Sequence, residues 1–262
     1  MFVIGERING MYRQIAKAIA EKDAGAIHEV ARAQAVAGAD ALDINVGPAA
    51  ADPVMAMRWL VTSVREVVSL PLSIDSTNKE VVEAGLASAG PGAIINSTSA
   101  DEDRLGALLP LAKKYDARII GLAMSKKGVP RDRAGKSELA LMILAACVEH
   151  DISPTNVYID PIVLPVNVAQ QQARETLESI REFQVLSDPP PQTIIGLSNI
   201  SQGARERALI NRTFLVMAVF SGLTAAIMDP LDTQLMDAMI SAELVLNKNI
   251  YCDSYLDAYR KR

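Results

Sequence analysis

A chain of 262 residues that is half hydrophobic can bury a large core, and 22% charged residues is an ordinary share for a globular protein. Its net charge of −5, with no basic run interleaved with aromatics, argues against a nucleic-acid partner. Only 4% of residues are aromatic, so Ala, Val, Ile and Leu must fill the core, as they do between helices and a parallel sheet.

In chain order, short apolar runs alternate with helical patterns. FVIG (2–5) comes first, and MYRQIAKAIAEKD and AGAIHEVARAQAVAGA follow it with apolar residues at helical spacing. ADALDINV (39–46) precedes PVMAMRWLVTSVREVV, LPLSID (70–75) precedes NKEVVEAGLASA, and GAIINS (92–97) precedes DEDRLGALLPLAKKY. ARIIGLAM (117–124), NVYID (156–160), TIIGLS (193–198) and AAIMD (225–229) continue the series. SELALMILAACVEH, AQQQARETLESIREF and RTFLVMAVFSG separate them, and TQLMDAMISAELVLNK follows the last. Eight strands alternating with helices predict βαβ units and a parallel sheet. No composition break divides the chain. One α/β domain over residues 1–262 is therefore expected, a closed (β/α)8 TIM barrel of the usual length. An open doubly wound sheet would want a Gly-rich phosphate loop, and neither G-x-G-x-x-G nor G-x-x-x-x-G-K-[ST] occurs. SDPPPQ (187–192) reads as a rigid loop entering the seventh strand.

MFVIGERING lacks the charged and apolar regions of a signal peptide. TFLVMAVFSGLTAAIM (213–228) is interrupted by Ser221, Gly222 and Thr224 and is short for a membrane span. A cytoplasmic protein without a membrane partner is expected. Cys147 and Cys252 are far apart and outside any CxxC pair, so neither a disulfide nor a thiolate metal site is expected. His28 lies within a helical pattern and His150 closes another, which leaves a Ser-His-Asp triad or a His-rich metal site almost nothing to use.

In a barrel the site forms where the carboxyl ends of the strands meet. Glu6, Arg7 and Asn9 stand there, then Asp43 and Asn45, Asp75 and Ser76, and Asn96 and Ser97. Met124, Asp160, Ser198, Asn199 and Asp229 complete the rim. Such residues also cap the helices that follow, above all in Asp75-Ser-Thr-Asn and Asn96-Ser-Thr-Ser. The carboxylates could hold a hard cation such as Mg²⁺. A neutral heterocycle with several N–H donors is the better match, because carboxylates accept from ring N–H and amino groups while amides both donate and accept. No intrinsic metal is expected.

IGERING, LDINVGP, IDSTN, INST, YIDP with LP.NVAQ after it, GLSN.SQ with NRTFL after it, and YCDS follow one another down the chain. In this order and spacing the sequence resembles the pterin-binding (β/α)8 barrels over essentially its whole length. Within them it is most similar to the methyltetrahydrofolate:corrinoid/iron–sulfur protein methyltransferases of anaerobic acetyl-CoA synthesis. The resemblance implies a methyltransferase that moves the N5-methyl group of 5-methyltetrahydrofolate to Co(I) of a corrinoid. It implies that Asp75, Asn96 and Asp160 hold the pterin ring and that Asn199 is the catalytic hydrogen-bonding partner of N5. Gly196, Gln202 and Arg207 would lie near the folate, with Arg207 facing its anionic benzoyl-glutamate tail. It also implies a homodimer.

Neither histidine stands in a D-x-H-x-x-G context. The corrinoid (cobalamin) should therefore arrive on a partner, and the resemblance names the corrinoid/iron–sulfur protein. N5 must gain positive character as its bond to carbon breaks. A strong acid such as Asp is ionised at neutral pH and cannot donate. The Asn199 carboxamide stays neutral and can accept from a protonated N5 or donate to its developing lone pair, a bond worth about 2–4 kcal/mol in the transition state. Dihydropteroate synthases share the barrel, but they keep a Lys after the seventh strand and Arg-x-His at the eighth. This chain has SNISQG and MDPLD there. A non-catalytic folate-binding subunit and a folate methyltransferase for another corrinoid protein remain as alternatives.

Overall fold

The computed structural model describes residues 1–48 and 50–260. Eight parallel strands bond in chain order and the last closes on the first: β1 (Phe2–Asn9), β2 (Ala41–Asn45), β3 (Leu72–Asp75), β4 (Ile94–Ser99), β5 (Arg118–Leu122), β6 (Val157–Asp160), β7 (Gln192–Gly196) and β8 (Ala225–Met228). Every apolar run read from the sequence falls on one of them, and the (β/α)8 barrel is the observed fold. Around it stand α1 (Arg13–Glu21), α2 (Ala24–Val36), α3 (Pro53–Arg65), α4 (Lys79–Ala89), α5 (Glu102–Lys114), α6 (Arg133–Glu149), α7 (Val166–Phe183), α8 (Arg207–Phe220), α9 (Thr233–Val245) and α10 (Tyr255–Tyr259).

The strands are apolar on both faces, which is why they read as uninterrupted runs. Leu42, Ile44, Leu72, Ile74, Ile95, Ile119 and Ile159 point outward and pack with the helices. Ile4, Ala41, Ile94, Ile120, Tyr158, Ile194 and Ala225 form a separate cluster inside the barrel. Within and against that cluster, toward the amino ends of the strands, the Tyr158 and Phe2 rings lie 6.2 Å apart. The Arg118 guanidinium sits 5.4 Å from the Phe2 ring and donates to the Tyr158 hydroxyl at 2.9 Å. This trio plugs the floor.

Helix starts are fixed by side chains. Asp23, Asp52, Asn78, Asp132 and Asp232 each accept a first-turn N–H, a contact worth about 1 kcal/mol. SDPPPQ joins α7 to β7 as expected, and TFLVMAVFSGLTAAIM divides between α8 and β8. Among the described residues no helix is long and apolar enough to cross a membrane.

Two features depart from the sequence reading. β1 runs on to Asn9, past the expected 2–5, through a register shift between Gly5 and Ile8 where Gln34 Oε1 accepts the Arg7 N–H at 2.9 Å. Bulges of this kind re-aim side chains beside functional sites. The five-residue α10 was not foreseen, being too short for a helical period to show.

Candidate functional site

The alternation that builds the barrel interior also builds the site. Two residues beyond the interior positions Ala41, Ile94, Tyr158 and Ile194 come Asp43, Asn96, Asp160 and Gly196, and beyond Ser73 comes Asp75. With Glu6, Asn9, Tyr12, Leu122, Ser97, Ser198, Asn199 and Ile227 they line a cavity of about 280 Å³ at the carboxyl ends of the strands. The chain thus turns from aliphatic to polar over one pleat, all round the mouth.

The inner carboxylates are held by hydrogen bonds. Asp43 Oδ1 accepts from Ser73 Oγ at 2.6 Å and from Asn96 Nδ2 at 3.0 Å. Asp75 Oδ2 accepts from Asn45 Nδ2 at 2.6 Å, while Asn45 Oδ1 takes the Gly47 N–H at 2.7 Å. Asp160 Oδ1 accepts the Ile162 N–H at 2.7 Å, and the Gly196 N–H also bonds this carboxyl group. Ile162 reaches it from a left-handed backbone, φ 63°, which costs a β-branched residue about 1–3 kcal/mol. Gly10 and Gly47 close the loops above β1 and β2 back to back; a Cβ on Gly10 would collide with the Val46 carbonyl.

Burial controls the charge of these groups. It raises the Asp43 carboxyl strongly, and the neighbouring Asp75 charge adds to the effect; burial raises Asp75 as well. Asp160 is pushed up to about 7 by burial, against the opposing pull of the Ile162 N–H and the Lys136 ammonium. Burial raises Glu6 too, although Ser198 Oγ donates to its Oε1 at 2.7 Å and lowers it. The premise that an Asp here must be ionised at neutral pH is therefore corrected. Desolvation lets carboxyl groups at this mouth keep a proton. The rim cation is already engaged, because Arg7 pairs with Asp229 at 3.5 Å and lies 4.7 Å from the Tyr12 ring centre.

Of the residues singled out in the sequence, Asp75, Asn96, Asp160, Gly196 and Asn199 come together on the cavity wall. Gln202 and Arg207 stand outside it, exposed. Arg207 donates from Nε to Ser201 Oγ at 3.2 Å and from Nη2 to the Ser198 carbonyl at 3.4 Å, so it backs the turn that carries Asn199. That turn is a 3-10 segment, Leu197–Ser201. The Asn199 carboxamide makes no hydrogen bond among the described residues, and the N-cap position of α8 belongs to Glu206. Asn199 is thus presented to the cavity and caps nothing.

The sequence reading placed Asp43 on the rim but not among the ligand-binding residues; the structure puts it in the middle of the polar layer. It missed Lys136, which is fully buried behind Asp160 on the stripe Lys136, Ala140, Ile143, Leu144, Cys147 of α6. A lysine at an apolar position of a helical stripe was the available signal. His28 sits within α2, and His150 is the C-cap of α6 with Nδ1 2.9 Å from the Ala146 carbonyl oxygen. Among the described residues no group of three or more His, Cys, Asp or Glu is placed to hold a metal ion.

Fold and site together define a (β/α)8 barrel protein with a small polar pocket ringed by carboxyl and carboxamide groups. The family described as pterin binding enzyme matches residues 6–229, and the chain belongs to it. The methylcorrinoid:tetrahydrofolate methyltransferase of Eubacterium limosum is 31% identical over 266 residues, covering 100% of this chain and 97% of that protein. A methionine synthase of Mycobacterium tuberculosis is 29% identical over 240 residues, which are 87% of this chain and 20% of that protein. Among solved structures, a Yersinia pestis dihydropteroate synthase superimposes with a TM-score of 0.70 at 17% identity, covering 94% of this chain and 93% of its own. At that identity the likeness speaks for the fold alone.

Proposed function

We propose that this protein moves a methyl group between N5 of a tetrahydrofolate and the cobalt of a corrinoid carried on a separate protein. The reading rests on the uncommitted Asn199 carboxamide, which lines the same cavity as the acceptors Asp75, Asn96 and Asp160. Similarity over the full length to a protein named for that reaction supports it.

Each residue has a defined task in this reading. Asp75 has Oδ1 left over after Asn45 takes Oδ2, and Asn96 has its carbonyl oxygen left over after its amide goes to Asp43. With Asp160 these atoms accept the ring N–H and amino donors of a pterin. A site built on such donors rejects molecules that lack them. Asn199 follows the proton on N5 as the methyl bond breaks or forms. Asp43, raised strongly by burial, can store that proton in the same cavity. Arg207, on the exposed side of the turn, offers its charge to the carboxylates of the tail, with Gln202 beside it.

With 5-methyltetrahydrofolate as donor, Co(I) of the corrinoid supplies the nucleophile. The carrier in this reading is a corrinoid/iron–sulfur protein of the acetyl-CoA pathway. A second reading keeps the chemistry and changes the carrier to a corrinoid protein of another methyl-transfer system. The name of the Eubacterium limosum relative, in which folate is the acceptor, favours it. Microscopic reversibility lets one set of contacts serve both directions. A homodimer and a cytoplasmic location complete the proposal.

The test is transfer of labelled methyl from 5-methyltetrahydrofolate to cob(I)alamin, and from methylcobalamin to tetrahydrofolate, with and without chelator. Turnover should survive the chelator. Asn199→Ala should lose about 10²–10³ in rate while folate affinity changes only a few-fold. Equal losses in both would make Asn199 a binding residue. Binding without transfer by the wild type would favour a folate carrier, and dihydropteroate formation from pterin pyrophosphate and p-aminobenzoate would favour a synthase. Repeating the transfer with a corrinoid/iron–sulfur protein decides the carrier.

A further inference from the structure

Lys136 has no place in the chemistry above, yet it is among the largest side chains wholly withdrawn from solvent. A buried ammonium is expensive unless charges and hydrogen bonds compensate it. Among the described residues it makes no direct ion pair. Its Nζ donates to Thr176 Oγ1 at 3.5 Å, Thr176 Oγ1 donates to the Ile162 carbonyl at 3.3 Å, and the Ile162 N–H donates to Asp160 Oδ1 at 2.7 Å. Helices α6 and α7 are thereby tied to the loop after β6, whose Ile162 N–H holds the Asp160 carboxyl group.

We infer that Lys136 is a positioning residue for the ligand anchor: its charge and its hydrogen-bond chain bias the Asp160 carboxyl group toward its ionised, accepting form and aim it into the mouth. Three carboxylates face the ammonium: Asp160 of β6, Glu175 of α7 and Asp132 at the start of α6. Asp132 is exposed and caps the Gly135 N–H at 2.8 Å; Glu175 is half-buried and takes the Arg133 N–H at 3.1 Å. Only Asp160 among them shares the burial of Lys136. Burial pushes Lys136 down and Asp160 up, and each charge opposes the shift of the other. The bond from Thr176 to the Ile162 carbonyl also pins the left-handed turn that delivers the Ile162 N–H. The pair therefore sets which ligand edge the anchor accepts, while Glu6, Asp43 and Asp75 titrate across the same cavity from other strands.

The inference rests on the reading that Asp160 contacts a folate. Its test is the affinity for 5-methyltetrahydrofolate between about pH 5.5 and 9, measured calorimetrically for the wild type, Lys136→Met, Asp160→Asn and the double variant. Methionine nearly matches the volume of lysine without its charge. In Lys136→Met the affinity should fall about fivefold at neutral pH and recover in alkali, its midpoint moving up by about one unit. In the Asp160→Asn background the same change should have no further effect. An unmoved midpoint, or the same loss without Asp160, would overturn the inference. Should Lys136→Met fail to fold, the lysine side-chain nitrogen spectrum of the wild type decides. A slowly exchanging ammonium is expected with ligand bound, and a neutral amine overturns the inference. A wild type that binds no folate at any pH removes the reading beneath it.

Discussion

Asp75 and Asn78 are three residues apart and do opposite work. Asn78 Oδ1 accepts the Glu80 N–H at 2.8 Å and starts α4, while Asp75 pairs with Asn96 in the sheet and turns into the cavity. The same division separates Gly196 from Asn199. A Cβ on Gly196 would lie 2.9 Å from Asn199 Nδ2. Gly196→Ala should swing the carboxamide away and cost about 10–100-fold in methyl transfer with the melting temperature nearly unchanged. An unaffected rate would detach Asn199 from the chemistry. Asp43 gives a prediction in pH. Its folded pKa lies above its ordinary 3.8, so its contribution to stability is complete below that value and drains away as pH rises through the raised one. The wild-type melting temperature should fall between about pH 5 and 8, and Asp43→Asn should flatten the fall. Parallel calorimetric curves would mean that Asp43 does not hold a proton.

At the scale of elements, the barrel interior is filled mainly by aliphatic side chains, and Ile94 stands among them without solvent contact. Ile94→Ala should cost about 2–5 kcal/mol in urea unfolding; a cost under about 1 kcal/mol would mean the interior collapses around the gap. The eight strands were legible because both faces are apolar, so runs such as ARIIGLAM stand out whatever their register. The site was less legible. Asp and Asn at strand ends serve as caps and as ligands alike, and only the pleat tells Asp160, which faces inward, from Asp132, which caps α6. The bulge in β1 depends on Gln34, a residue of α2 that no local pattern connects to Arg7. Lys136 was hidden because its partners come from α7 and from the loop after β6.

Over the whole molecule, α8 and α9 leave an apolar surface uncovered. Met217 is 48% exposed, Phe220 65% and Val245 85%, and they border a groove of about 1020 Å³ with Val166 and Leu177 of α7. Patches of this kind mark contacts with other proteins. If the second copy of the proposed homodimer sits there, light scattering should give twice the chain mass, and Phe220→Asp should halve it. A wild type of single mass would end the dimer expectation. The plugged floor bears on the order of events. With Phe2, Arg118 and Tyr158 packed together at the amino ends of the strands, the polar cavity opens at the carboxyl ends, and under the reaction proposed above both reactants approach through that mouth. The folate has to board first, and the corrinoid carrier then shuts it in. A carrier that docks on an empty barrel blocks the entrance, so excess carrier should slow turnover, and added folate should relieve it.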